Sequence, residues 1–340
     1  MKILHLTRGS FGGLDFASKD LFSYLAPNHS QKIFYFDRNG SVLYENFSSA
    51  CVGSVVLKGE IIFVNFLNRL KDFFEADFIH IHHTKVWVLF SPLCFFSSKN
   101  IFSFHMSFGS GLEKNIFELW ITRLIVSYCT FFSKTIIFLT LGQKNEIKKH
   151  SFFKKIFDQK ALIIPNSIDD SIILCKKNNF SRNILFVGRY TKIKGYEDLL
   201  SLAKETKSFN FYTIGEAEGS ELDNLTNIGE VNHEKIIQYY DRNTILILPS
   251  YTEAFPLVIL EAMARGLVVL VSDIPGMRNI IKEGRNGFLF PAGSVHKMSD
   301  VLLTLRDNLG LIEEISKNNL NDVKKYSKKV ILPLYEHIYE

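Results

Sequence analysis

Short apolar runs recur along this chain with helix-length segments between several of them. The opening stretch, "MKILHLTRGSFGGLDFASKDLFSYL", reads as a strand, a glycine-bearing turn and then a helical period. Further strand-like runs stand at "KIFYFD", "DFIHIHH", "NIFSFH", "KTIIFLT" and "ALIIPN". This rhythm predicts a parallel sheet covered on both faces. After the polar segment "CKKNNFSRN" the pattern begins again with "ILFVGRY", then "FNFYTIG", "LTNIGEV", "TILILPS" and "LVVLVSD". Two Rossmann-like, doubly wound α/β domains facing each other across a cleft are the simplest account. We place them at 1–167 and 168–326. A last helix runs through "SKNNLNDVKKYSKKVILPLYEHIYE", and its part from 327 to 340 is expected to pack back on the first domain.

Composition adds bounds rather than detail. A chain of 340 residues is long enough for two cores, and 46% hydrophobic with 22% charged residues is ordinary for a globular protein rather than a disordered or collagenous one. Cys51, Cys94, Cys129 and Cys175 lack metal-ligand or redox spacing, and no secretory signal precedes the first strand, so a cytoplasmic location is expected. One candidate membrane span, residues 116 to 141, is interrupted by Glu118, Arg123 and Lys134 and falls short of the roughly 18–20 apolar residues a span needs. It reads instead as a helix ending near Ser133 followed by a buried strand.

Charge is uneven. Residues 1 to 175 hold 19 Lys and Arg against 14 Asp and Glu, whereas residues 176 to 340 hold 21 of each, so the net +5 belongs to the first half. Peripheral contact with an anionic membrane, at the inner face of the plasma membrane, and a solvated basic face both account for this, given exposed aromatics in "SFFKKIFDQK". Nucleic acid is disfavoured, because no stacking or groove-reading motif accompanies the charge.

In doubly wound sheets ligands bind outside the carboxyl ends of the strands. Gly12, Gly13, His105, Gly188, Arg189, Gly215 and Glu253 all fall at such ends. The stretch "TEAFPLVILEAMARG" carries two carboxylates, Glu253 and Glu261, eight positions apart. Pro256 suits a first helical position, which puts Glu253 in the preceding loop and leaves the N–H groups around Leu257 and Val258 as a positive pole for a phosphate or sugar oxygen. Glu261 then lies in an almost wholly apolar helix, where a carboxylate needs a partner. A ribose diol would supply one; so would a buried Arg or Lys.

The stretch resembles the nucleotide-sugar site of retaining glycosyltransferases of family 4, whose pattern is Glu, seven residues, Glu, then Ala-Met-Ala and Gly. "LFVGRYTKIKGYEDLL", "FYTIGEAEGS", "IIPNSID", "NIGEVNHEKIIQYY" and "VLVSDIPGMRNIIKEGRNGFLF" resemble the same family in the expected order. The resemblance is strong from about Ala161 to Ala292 and reaches the first half through "TRGSFGGLD", "DFIHIHH" and "FSFH". It implies the two-domain GT-B fold and a hexosyltransferase that needs no metal or other cofactor. Arg189 and Lys194 would hold the donor diphosphate, with Lys192 as a nearby substitute. Glu253 would contact sugar hydroxyls and Glu261 the ribose, while Gly188, Gly215, Ala254, Phe255, Leu257 and Val258 complete the donor site. His105 would stand near donor sugar and acceptor, and Gly12 with Gly13 near donor phosphates and acceptor. Pro256 departs from the family, many of whose members carry Gly there.

The catalytic set is therefore Glu253, His105, Arg189 and Lys194. With no Asp-x-Asp pair in view a metal-free reaction fits. The resemblance implies retention, for which a front-face displacement is favoured over a covalent intermediate on Glu253, with a UDP-sugar preferred to a GDP-sugar as donor. The implied acceptor is a glycan or lipid-linked oligosaccharide of bacterial O-antigen, capsule or exopolysaccharide assembly. His80, His82 and His83 read as packed or cleft-lining rather than as metal ligands. Two rivals remain. An NAD(P)-dependent Rossmann oxidoreductase draws on "GSFGG" and Asp37, though without the full glycine order. A non-catalytic glycan-binding relic would keep the fold without the chemistry.

Overall fold

A computed structural model describes residues 1–8, 20–36, 42–47, 54–57, 74–82, 100–104, 116–174, 180–215 and 222–340. Its strands form two separate sheets. The first contains β1 (Lys2–Arg8), β2 (Ser30–Phe36), β3 (Val42–Phe47), β4 (Ser54–Leu57), β5 (Phe78–Ile81), β6 (Asn100–Phe104), β7 (Thr135–Phe138) and β8 (Ala161–Ile163), in the order β4-β3-β2-β1-β5-β6-β7-β8. Six of these strands are mutually parallel. β3 runs antiparallel to β2, and β4 antiparallel to β3. Sequence reading did not anticipate this edge pair. Five residues separate β2 from β3, too few for the crossover that a parallel neighbour requires, so the chain must reverse.

The second sheet contains β9 (Asn183–Val187), β10 (Asn210–Ile214), β11 (Leu225–Gly229), β12 (Ile245–Leu248), β13 (Val268–Ser272) and β14 (Gly287–Phe290), ordered β11-β10-β9-β12-β13-β14. All its pairings are parallel. Central strands β12 and β13, "ILIL" and "VVLVS", are buried at every position. Parallel strands covered on both faces call for such unbroken apolar runs. In each sheet the strand order reverses once, at β1 against β5 and at β9 against β12. Those reversals are the switch points outside which doubly wound sheets bind ligands.

Two units of packing emerge. One comprises the described residues up to Pro165 together with Leu332–Glu340; the other runs Asn166–Ile331. The single last helix expected from the sequence is broken. Helix Leu309–Asp322 is followed by a 3-10 turn at Val323–Tyr326, a short helix at Lys328–Ile331 and a final helix at Pro333–Tyr339. Ser327 adopts φ −57°, ψ 144°, outside the helical region, and Pro333 lacks the N–H that a continuing helix would use. The segment 116–141 is likewise two elements, a helix at Ile116–Phe132 and then β7. No described helix is long and apolar enough to cross a membrane.

In the first unit three histidines cluster in the core, His80 stacked on His82 and His5 tilted against both. His5 Nδ1 lies 3.1 Å from His82 Nε2, and His5 Nε2 lies 3.0 Å from Gln31 Oε1. His80 Nδ1 is 2.7 Å from the Tyr339 hydroxyl and its Nε2 is 2.6 Å from Ser103 Oγ. Burial pushes His5 down to about 3, against a smaller opposing pull from the Gln31 hydrogen bond. The folded chain therefore leaves His5 neutral where the unfolded chain protonates it below about pH 6.5. Its contribution is complete above that value and drains away as pH falls toward 3. Urea unfolding across this window should show stability falling with acid. A His5→Gln variant should fall less steeply, by at most one proton, or about 1.4 kcal/mol per pH unit.

Candidate functional site

The candidate site is built on the two loops that leave β9 and β12. After β9 the chain continues through Gly188, Arg189 and Tyr190 into a 3-10 turn at Lys192–Lys194, closed by Gly195 at φ +70°. A β-carbon on Gly195 would come within 2.1 Å of the Pro249 carbonyl oxygen. Both the left-handed backbone and the close approach exclude any larger residue. The Tyr251 N–H donates to the Ile193 carbonyl at 2.8 Å, fastening one loop to the other. Tyr190 stacks on Tyr196 with ring centres 4.2 Å apart, and its hydroxyl donates to Thr213 Oγ1 at 2.9 Å. Thr213 in turn donates to Asn227 Oδ1 at 2.6 Å. Three neighbouring strand ends, those of β9, β10 and β11, are tied by this chain of contacts.

Because the loops are fastened, two residues 59 positions apart meet: the Lys194 ammonium donates to Glu253 Oε1. Ser250 Oγ donates to the same oxygen at 2.9 Å. Both members of the ion pair are largely shielded, with Lys194 22% and Glu253 11% exposed, so the contact is stronger than a surface pair would be. Arg189, by contrast, is exposed and forms no ion pair among the described residues. Lys192, the alternative cation, is exposed as well.

Helix Leu257–Ala264 follows, with Pro256 as its N-cap at φ −76°, ψ 126°. The sequence reading put Pro256 one position inside the helix; its extended ψ places it just outside. Pro256 offers no side-chain cap, so the first-turn N–H groups, Leu257 and Val258 among them, still present a positive pole. Ala254 and Phe255 are buried below, and the Phe255 carbonyl accepts from Asn166 Nδ2 at 2.9 Å. Glu261 is buried, 6% exposed, on the same helix. Its Oε2 accepts from the Tyr240 hydroxyl at 2.6 Å. Burial first, and then the Glu261 charge and hydrogen bond, push the Tyr240 phenol well up, so it stays a donor.

Gly188 and Gly215 lie where expected, at the ends of β9 and β10; a β-carbon on Gly215 would stand 2.2 Å from the Gly188 carbonyl oxygen. Gly12, Gly13, His83, His105 and Asp37 lie outside the described residues. Sequence reasoning missed Tyr240, Ser250, Asn166 and Gly276. The last was visible only as a turn glycine in "DIPGM", yet a β-carbon there would meet the Glu253 carbonyl oxygen at 2.3 Å. Among the described residues one grouping could offer three metal-ligand atoms, His5, His80 and His82, whose ring nitrogens lie within 4.8 Å of one another. An ion there would have to displace the hydrogen bond between His5 and His82.

Residues 175–328 match the family model described as Glycosyl transferases group 1. An uncharacterized 41.2 kDa protein in the cps region of Klebsiella pneumoniae is 30% identical over 138 residues, 38% of each chain. The Campylobacter jejuni N,N'-diacetylbacillosaminyl-diphospho-undecaprenol alpha-1,3-N-acetylgalactosaminyltransferase is 26% identical over 165 residues, 46% of this chain and 44% of that one. The matches with the first three curated relatives span 38%, 62% and 46% of those relatives' lengths. The fold is also that of Anabaena HepE, solved in complex with UDP and glucose, with TM-score 0.79, 15% identity and coverage of 99% of this chain and 98% of that one. Sucrose-phosphate synthase from Thermosynechococcus elongatus aligns with TM-score 0.77 at 16% identity over 100% of this chain and 98% of its own. Both sheets accordingly belong to the GT-B glycosyltransferase fold.

Two glycines separate backbone strain from collision. Gly195 and Gly284 have nearly equal φ, +70° and +69°, but nothing lies within 4 Å of a β-carbon on Gly284. Gly284→Ala should cost about 1 kcal/mol for the left-handed backbone alone. Gly195→Ala should cost clearly more in the same urea-unfolding measurement, because Pro249 must move. Equal losses would show that the two loops are not held together at this point.

Proposed function

With residues 175–328 belonging to the glycosyl transferases group 1 family, we propose that this chain is a retaining glycosyltransferase. It moves a hexose or N-acetylhexosamine from a UDP-sugar to a lipid-linked glycan acceptor in surface-polysaccharide assembly. The observation that carries this reading is the meeting of Lys194, Ser250 and Glu253 at the strand-order reversal of the second sheet, beside an uncapped helix N-terminus. The UDP and glucose held by HepE, the sugar named for the Campylobacter transferase and the cps region of the Klebsiella relative support the donor class and the setting.

Chemically, the bond between the anomeric carbon and the diphosphate oxygen breaks while the acceptor oxygen bonds the same face of that carbon. The acceptor proton passes to the departing phosphate oxygen. Negative charge grows on the diphosphate as it leaves, and stabilising such growing charge is often the largest catalytic contribution. Arg189 supplies an open guanidinium for it. Lys194 has three N–H donors, so it serves Glu253 and a phosphate oxygen together, and its pairing with Glu253 holds it in place beforehand. Lys194 and Ser250 both bond Glu253 Oε1, which leaves Oε2 to accept from sugar hydroxyls. Glu261 grips the ribose diol, its carboxylate steadied by Tyr240. The same reading assigns Gly12 and Gly13 to the donor phosphates and acceptor, and His105 to the donor sugar.

A screen of UDP- and GDP-sugars against lipid-linked acceptors, with the product linkage read by NMR, tests the proposal; stabilisation by NAD with no transfer from any sugar donor would overturn it. Lys194→Ala should lower kcat by about 10²–10³-fold in protein that still folds, a larger effect than the stability lost by leaving Glu253 unpaired, and unchanged kinetics would remove its role. Glu261→Ala should weaken UDP binding by calorimetry, and full affinity in a folded variant would rule out the ribose contact.

A further inference from the structure

Helix Ile116–Phe132 is turned inside out. Its buried side carries Thr122, Ser127, Cys129 and Thr130 beside Val126, whereas Trp120, Ile121, Leu124 and Phe131 are 53%, 40%, 58% and 55% exposed. Water ordinarily selects the opposite arrangement, with the apolar stripe inward. The inward polar groups are accommodated: Thr130 Oγ1 donates to the Val126 carbonyl at 2.8 Å, and Ser127 Oγ accepts from the Phe152 N–H at 2.9 Å. That second bond fixes the turn that follows. Phe152 and Phe153 stand 50% and 43% exposed, with Phe152 6.1 Å from Trp120 and Phe153 6.2 Å from Phe131, ring centre to ring centre. One aromatic surface therefore extends the roughly 16 Å between Trp120 and Phe131 along the helix. Lys160 donates to the Thr130 and Phe131 carbonyls at 3.0 Å and 2.9 Å, holding the helix end.

Charge identifies the occupant. Residues 116–160 hold eight Lys and Arg against three Asp and Glu, an excess equal to the +5 of the entire chain. Lys154 and Lys155 are exposed directly after the two phenylalanines. Asp158, one of the three acids, is paired with Lys148 and Lys144. A second copy of this chain would bring like charge against like, which opposes self-association. Apolar aromatics beside a surplus of cations match instead a bilayer of anionic lipid, into whose interface aromatic side chains insert while lysines meet the headgroups.

We infer that this face is an anionic-membrane docking surface, with Trp120, Leu124, Phe131, Phe152 and Phe153 entering the interface and Lys154 and Lys155 against the headgroups. A lipid-linked acceptor gives the docking its purpose, and to that extent it rests on the function proposed above; the surface itself stands on exposure and charge. The test is sedimentation of the full chain with vesicles of phosphatidylcholine alone or with about 30 mol % phosphatidylglycerol. Binding is expected to the second and at least about tenfold weaker to the first. The variant L124S/F152S/F153S should lose it, and so should K154E/K155E. Tryptophan emission should shift to the blue on binding in Trp87→Phe, where Trp120 is the one reporter. No binding to anionic vesicles, undiminished binding by folded variants, or a dimer in sedimentation velocity that L124S dissolves would overturn the inference. Transfer to a soluble acceptor in detergent should be equal in the chain and in L124S/F152S/F153S. Vesicle binding without any transfer would leave the docking surface standing and remove the proposed reaction.

Discussion

The candidate site hangs on one backbone contact, Gly195 against the Pro249 carbonyl. Strands β9 and β12 are neighbours in the sheet, so their loops leave side by side, but adjacency alone does not make those loops touch. Removal of a β-carbon at Gly195 lets the turn after β9 settle on the chain after β12, and the bond from Tyr251 N–H to Ile193 keeps it there. Lys194, one residue before the glycine, and Glu253, four after the proline, are then brought within a hydrogen bond. Gly276 repeats the device from the other side, its bare backbone lying against Glu253 and Ala254. The carboxylate is thus positioned by two glycines whose own chemistry is nil.

This arrangement also changes how the two cations of "GRYTKIKG" should be viewed. Sequence treats Arg189 and Lys194 as equivalent positive charges. In the fold they differ: one is exposed, and the other is held in a shielded ion pair with Glu253. A group that already has an opposite charge beside it costs less to take out of water. Lys194 can therefore occupy a shielded position that an unpaired ammonium would resist.

Much of the fold was legible because parallel strands buried on both faces are written as unbroken apolar runs; "ILIL" and "VVLVS" left few alternatives. The edge strands β3 and β4 escaped notice, since "VLYENF" and "SVVL" mix polar with apolar positions and only the short spacer after β2 hints at a reversal. Candidate residues on a local motif could be singled out: Glu253 and Glu261 stand in one stretch, the first in the loop before helix Leu257–Ala264 and the second within that helix. Their partners could not. Tyr240 reaches Glu261 from another helix and Asn166 reaches Phe255 from 89 positions away, and such meetings are decided by strand order, which periodicity does not encode. Pro256 shows a smaller limit: proline is at home just outside a helix as well as just inside, and only ψ tells which. The helix Ile116–Phe132 was read correctly in extent, but which of its sides would face inward depended on neighbours that its own sequence does not name.

The return of Pro333–Tyr339 to the first unit bears on how the chain is made. His80 in β5 finds its hydroxyl partner in Tyr339, and Phe78 packs edge-on against the same ring. Domains generally fold in order of synthesis, the earlier one first. Here the earlier unit lacks a piece of its interior until every residue of the later one has left the ribosome. During translation the second sheet can therefore mature while the first still waits with its histidine core open, so the half made first is the half finished last.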